Sequence, residues 1–184
     1  MSSSKIQIAN IALGFLGEPA LTSLSEVSLR AEQVNLHYES AVVDCLGKAD
    51  WRFAVQKDWL SQDIATPQNE WPYQYTLPAG FIRVVKLEPR ARYDIYGSKL
   101  YADATGLACD FVKRVSEANF PTTFETFVAC ELAIRMCMVI TGDIDLKASL
   151  QNDRRFKFAE ALSADSQQRP NVRFEHAPFI NVRF

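Results

Sequence analysis

The apolar residues of this chain change their spacing twice, and that change limits the folds open to it. They recur at helical intervals up to about residue 50, alternate at period two over 71–117, and return to helical intervals over 121–165. A segment patterned at 3.6 residues per turn buries its apolar face only as a helix, and a segment patterned at period two only as a strand. The expected class is therefore α+β: a helical bundle of about four helices with an inserted small antiparallel β-sheet domain and an extended C-terminal arm. The spacing places the bundle at 1–70 and 118–166, the inserted β domain at 71–117, and the arm at 167–184.

Within the bundle, 5–17 reads as a helix that is apolar nearly all round. Only Gln7, Asn10, Gly14 and Gly17 form a polar or small stripe. Such a helix is buried or meets a partner. Ser23-Leu24-Ser25-Glu26 fits a capping box opening a helix over 25–47, whose apolar stripe is Ala31, Val34, Tyr38, Val42 and Cys45. Trp51-Arg52-Phe53-Ala54-Val55 is extended or a short helix start. Pro121 and Gly142 bracket a third helix, with Phe124, Val128, Ala129, Leu132, Met136 and Ile140 on its core face. Its Glu131/Arg135 pair is worth only about 0.3–0.5 kcal/mol if exposed. Asp143 caps a fourth helix over 143–165 with Ile144, Leu150, Phe158 and Leu162 inside, and Asp143/Asp145 suit a helix N-terminus better than a metal. In the β segment Phe81, Arg83, Val85 and Leu87 are expected on one face, and Ile82, Val84 and Lys86 on the other. Gly97-Ser98 carries glycine first, as a type II′ hairpin turn requires.

The chain has 184 residues, 48% of them apolar and 23% charged, enough to bury about 70% of its unfolded surface without a metal or disulfide staple. Net charge is −2, so there is no global basic field for gripping nucleic acid. By segment the charge is −4 over 1–70, +2 over 71–117, −2 over 118–166 and +2 over 167–184. No apolar run approaches the roughly 20 residues of a membrane span, and the opening lacks the order of a signal peptide. The expectation is a soluble intracellular protein. Cys45, Cys109, Cys130 and Cys137 form no CxxC pair and sit in apolar surroundings, which suits reduced, buried thiols. With only His37 and His176 beside them, a zinc site lacks ligands.

No Walker loop, GxSxG or HExxH occurs. His37 reads as a solvated helix residue, and His176 lies in the arm, where no catalytic set is held rigidly. The expectation is a chain that is not an enzyme and needs no cofactor. Tyr73, Tyr75, Phe81, Tyr93, Tyr96 and Tyr101 gather in the β segment beside Arg83, Lys86, Arg90 and Arg92. They suit sheet packing or a protein interface, and alternatively a single-strand nucleic-acid platform. In the arm a four-residue string occurs twice: Asn171-Val172-Arg173-Phe174 and Asn181-Val182-Arg183-Phe184. It is either chance repetition in a disordered tail or an arm that docks on another chain by strand addition. Fully extended, its eighteen residues reach at most about 60 Å.

The ordered set of local patterns resembles a known family. It opens with Lys5-Ile6-Gln7-Ile8-Ala9-Asn10-Ile11-Ala12-Leu13-Gly14-x-Leu16-Gly17 and Leu21-Thr22-Ser23-Leu24. Ala31, Asn35-x-x-Tyr38, Asp44-x-Leu46 and Trp51-x-Phe53-Ala54 follow. Tyr73-x-Tyr75-x-Leu77-Pro78-Ala79-x-Phe81-x-Arg83-Val84 and Tyr93-x-Ile95-x-Gly97-x-x-Leu100-x-Ala102-Asp103 complete it. Over about residues 5–165 the chain resembles the tail tubular protein A family, the head-to-tail adaptors of short-tailed bacteriophages. The resemblance implies a helical bundle with an inserted β domain and a dodecameric ring between the portal protein and the tail nozzle (tubular protein B-like). It also implies a channel that double-stranded DNA traverses without sequence-specific binding, and a place in the virion neck after assembly in the host cytoplasm. No catalytic, metal or membrane role comes with it. The arm lies outside the resemblance. Its Arg169, Asn171, Val172, Arg173, Phe174, Phe179, Asn181, Val182, Arg183 and Phe184 are expected to contact the portal. Tyr93, Tyr96, Tyr101, Arg90 and Arg92 are expected to face the nozzle or a neighbouring subunit. The alternative is a small nucleic-acid-binding regulatory protein using the aromatic, basic sheet.

Overall fold

The computed structural model of the chain describes residues 4–65, 67 and 70–167. In chain order its elements are helices α1 (Lys5–Phe15) and α2 (Leu29–Gly47), then strands β1 (Val55–Trp59), β2 (Ser61–Gln62), β3 (Tyr73–Thr76), β4 (Phe81–Glu88), β5 (Tyr93–Tyr96), β6 (Lys99–Ala102) and β7 (Ala108–Lys113). A 3-10 turn at Glu117–Asn119 leads into helices α3 (Thr122–Ile140) and α4 (Ile144–Gln167). The class is α+β: four helices and two small antiparallel sheets.

α1 ends where its sequence allows a left-handed residue. Gly17 has φ +73°, and the Glu18 N–H returns to the Leu13 carbonyl at 3.0 Å, closing the last turn. α2 starts later than the capping box suggests. Its N-cap is Ser28, whose hydroxyl accepts from Ala31 N–H at 3.3 Å, while Ser23–Glu26 forms only a turn. Two asparagines hold the preceding segment out of the helix. Asn10 makes a two-way amide clasp with the Leu21 backbone, and the Asn35 amide donates to the Leu24 carbonyl at 2.8 Å. The α2 stripe Ala31, Val34, Tyr38, Val42 and Cys45 is fully buried.

α3 is the axis of the bundle. α1, α2 and α4 all pack on it, and it is buried almost all round, from Phe124 to Cys137. α4 packs differently from the expectation. Leu150 and Ala161 are buried and Phe158 is partly covered, but Ile144 is 70% exposed and Leu162 also points outward. At about 100° per residue, Ile144 and Leu162 share one stripe, roughly 120° round the helix from Leu150. With one neighbour to pack against, α4 buries only one of these stripes.

The β region begins at Val55, ahead of the period-two segment. β1 pairs antiparallel with β7, which also pairs with β4, in the order β1-β7-β4. The second sheet has the order β2-β3-β6-β5. β1 shows no alternation because it is an edge strand with four of its five residues exposed. It is held by ladder pairing and by the Lys57–Asp110 ion pair at 2.9 Å. The expected alternation of β4 is also broken. Its register shifts between Phe81 and Arg83 and between Val84 and Lys86. Phe81, Val84 and Leu87 therefore face the core between the sheets, while Ile82 and Val85 reach the bundle. Bulges of this kind bend and twist a strand, and here they let one strand serve two cores.

The chain passes from the bundle to the β module at Trp51, whose carbonyl accepts the Val55 N–H at 2.9 Å. Its ring is buried against Phe124 at 5.0 Å and Phe158 at 6.0 Å, and its Nε1 donates to the Cys45 carbonyl at 2.9 Å. Phe53 adds an edge contact to Phe124 at 4.9 Å.

Candidate interaction surfaces

Tyr93, Tyr96 and Tyr101 lie on the β5–β6 hairpin, closed by Gly97-Ser98. Gly97 has φ +60° and no non-glycine described has positive φ, as a type II′ turn demands. Register divides the three tyrosines between the faces of the sheet. Tyr93 stands opposite Ala102 and Ile95 opposite Leu100, and Leu100 and Ala102 are fully buried. Tyr93 and Ile95 thus continue the inner, apolar face, yet both remain exposed because the core beneath runs out at this edge. Tyr96 and Tyr101 lie on the outer face with ring centroids 5.7 Å apart, beside the polar set Asp63, Thr76 and Lys99. There the Lys99 ammonium reaches Asp63 at 2.5 Å and Thr76 at 2.8 Å.

Arg92 caps the start of the hairpin. Its Nε donates to Asp103 at 2.9 Å and its backbone N–H to the same carboxylate at 3.0 Å. The Arg92 hydrogen bond holds the Asp103 carboxyl below its ordinary range, and the Asp94 carboxylate raises the Tyr96 hydroxyl. Arg90 is exposed and lines a groove of about 510 Å³ with Val84, Val85, Lys86, Leu87, Ala91 and Tyr93. Arg90, Arg92 and Tyr93 therefore share one end of the hairpin, and Tyr96 and Tyr101 the opposite face. The arm residues Arg169, Asn171, Val172, Arg173, Phe174, Phe179, Asn181, Val182, Arg183 and Phe184 lie outside the described residues, as does His176.

The aromatic, basic platform does not form as a single surface. Tyr75 is buried with its hydroxyl donating to the Ala104 carbonyl at 2.7 Å, and Phe81 packs on Phe111. Arg83 pairs with Asp50 and Lys86 with Glu88, so much of the positive charge is met by carboxylates.

Charge inside the bundle is organised around Glu131. It is only 7% exposed and accepts from Arg135 at 3.2 Å and Arg154 at 3.0 Å. Arg135 also reaches Asp44 and the Ser40 hydroxyl. The Glu131/Arg135 spacing therefore belongs to a cluster tying α2, α3 and α4 together, and is more than an exposed helix pair. A second cluster joins Arg114 to Glu39 at 2.8 Å and to Glu117 at 2.6 Å, linking α2 to the chain entering α3. Asp143 caps α4 by accepting from Leu146 N–H at 2.9 Å.

All four cysteines are free and buried. Burial pushes Cys45 well up and Cys109 and Cys130 up to about 11, which keeps these thiols protonated and unreactive. His37 is half-buried on α2. Among the described residues no His, Cys, Asp and Glu group could hold a metal ion, and no helix is long and apolar enough to cross a membrane.

Two groups of exposed apolar residues lie outside the core, and of their residues the sequence placed only Ile144, which it expected inside α4. One is Val27, Leu29 and Leu36, the last 67% exposed, around the start of α2. The other is Met138, Val139 and Ile144 at the α3–α4 corner. The other five are apolar residues off the core stripes, and periodicity cannot separate a second face from scatter. In comparisons with known proteins, no family model matches this chain and no curated protein matches it.

Proposed function

We propose that this chain is a head-to-tail adaptor of a short-tailed bacteriophage. Copies form a ring, a dodecamer by resemblance, between the portal and the tail nozzle, around a channel for double-stranded DNA. The observation that carries the reading is the architecture. A four-helix bundle is interrupted after its second helix by a β module, in the arrangement the resemblance implies. The two apolar patches support it, because a closed ring needs two different surfaces on each subunit. The acidic balance of the bundle segments suits a channel that must let DNA slide, since many phosphate contacts would bind it. The role needs no catalytic set, cofactor or membrane. The protein belongs in the virion neck, assembled in the host cytoplasm.

In this reading the arm, with Arg173, Phe174, Arg183 and Phe184 as anchors, grips the portal. Tyr93, Tyr96, Tyr101, Arg90 and Arg92 face the nozzle or the next subunit. The nucleic-acid-binding alternative has less support, because Arg83, Lys86 and Arg92 are each engaged by a carboxylate. Negative-stain microscopy and mass measurement, with the protein alone and mixed with portal rings from the same genome, test the proposal. A second ring stacked beneath the portal, absent when either partner is omitted, is the expected result. No association at low or moderate salt, with salt-dependent micromolar DNA binding instead, would favour the alternative.

A further inference from the structure

Among the described residues, the four-stranded sheet has an open edge along β5. Its two-residue loop makes Tyr96 and Lys99 the first hydrogen-bonded pair, and bonding alternates down the ladder. The Asp103 N–H donating to the Arg92 carbonyl fixes the same phase. The backbone N–H and C=O of Asp94 and Tyr96 therefore point to β6, while those of Tyr93 and Ile95 point outward. The same two residues carry the exposed end of the inner apolar face. β5 contains no proline, lysine or bulge, three of the devices that block an edge from further pairing.

The geometry points to one occupant: the string Asn181-Val182-Arg183-Phe184 of this chain, added as a fifth strand antiparallel to β5. In the register that sets Val182 against Ile95, Phe184 falls against Tyr93, and the bonding groups of Val182 and Phe184 meet the outward groups of β5. Val182 and Phe184 then extend the inner face, with Phe184 at the mouth of the groove lined by Leu87, Arg90 and Ala91. Arg183 comes to the outer face opposite Asp94. β-branched, aromatic and opposite-charge pairs facing each other across strands are the stabilising kinds. Of the two copies of the string, the second lies on the longer tether. Fourteen residues beyond Gln167 can span about 48 Å, whereas Asn171 is tethered within about 14 Å of the end of α4. That end is fixed beside the start of β1, where Asp165 accepts the Arg52 N–H at 3.0 Å. The inference concerns the isolated protein and stands apart from the ring reading. A portal, where present, competes for the same residues.

Residue-resolved amide exchange on the full chain without portal tests it. The Ile95 amide should exchange at least tenfold more slowly in the wild type than in Val182→Pro, which removes a strand donor outside the folded core. Asp94→Arg should lose the protection, and Asp94→Arg combined with Arg183→Asp should regain it. Protection that persists on dilution supports the string's docking on its own chain, and protection lost on dilution places it on a neighbouring copy and overturns the assignment. Equal exchange of Ile95 in wild type and Val182→Pro, or loss in Val172→Pro alone, overturns the assignment. Because no portal enters the experiment, its failure leaves the adaptor reading untouched.

Discussion

Trp51 is the largest fully buried side chain, packed among rings of the bundle where the chain leaves for the β module. Trp51→Ala deletes a fully buried ring and a hydrogen bond to Cys45. A loss of about 3–5 kcal/mol is expected, a large part of a typical domain's 5–15 kcal/mol. Urea unfolding should show one transition moved to lower denaturant. Asp165 carries a different signature. Burial raises its carboxyl above the ordinary range, so its charged form is disfavoured in the folded state. Its contribution to stability is present in full below about pH 4, the unfolded value, and is lost as pH rises through the raised folded value. The wild type should therefore gain stability relative to Asp165→Asn as pH falls from about 6 to 4. Thermal unfolding of both proteins across that range measures it, and parallel curves would refute it. The cap at Asp143 and the buried thiols were legible from residue type and local context. The burial of Glu131 was not, because it depends on Arg154 arriving from another helix.

The β5–β6 hairpin turns on one glycine. Gly97 holds φ +60° with no atom close enough to meet a new Cβ, so Gly97→Ala tests conformation alone. It should destabilise the protein by about 1–2 kcal/mol, read by chemical denaturation, and the amides of β5 should exchange faster. The turn was visible in sequence because its chemistry is local. The β4 bulges were not, since a register shift is defined only against β7. β1 and β2 escaped for a related reason. An exposed edge strand such as Gln56-Lys57-Asp58 has no apolar face to alternate, and only pairing with β7 makes it a strand. α4 showed a clear helix but an ambiguous face, and packing against α3 chose Leu150 and Ala161 over Ile144 and Leu162.

For the assembled particle, the arm and the folded body make separable contributions. Deleting residues 168–184 should leave the described core folded and lower its stability by no more than about 1–2 kcal/mol, the worth of one docked strand. The same deletion should weaken portal binding, measured by co-sedimentation with portal rings. Unchanged binding would remove the arm from the adaptor account. Sequence by itself determined the class, the helix–strand–helix order, the core stripe of α2 and the hairpin turn. Each of these follows from periodicity or from backbone preferences carried by neighbouring residues. Tertiary structure alone decided where the β module begins, how β4 serves two cores, which face of α4 is buried, how Glu131 is paired and which sheet edge stays open. Each of those depends on what stands opposite, and a one-dimensional pattern records which side of an element is apolar but not which partner will cover it.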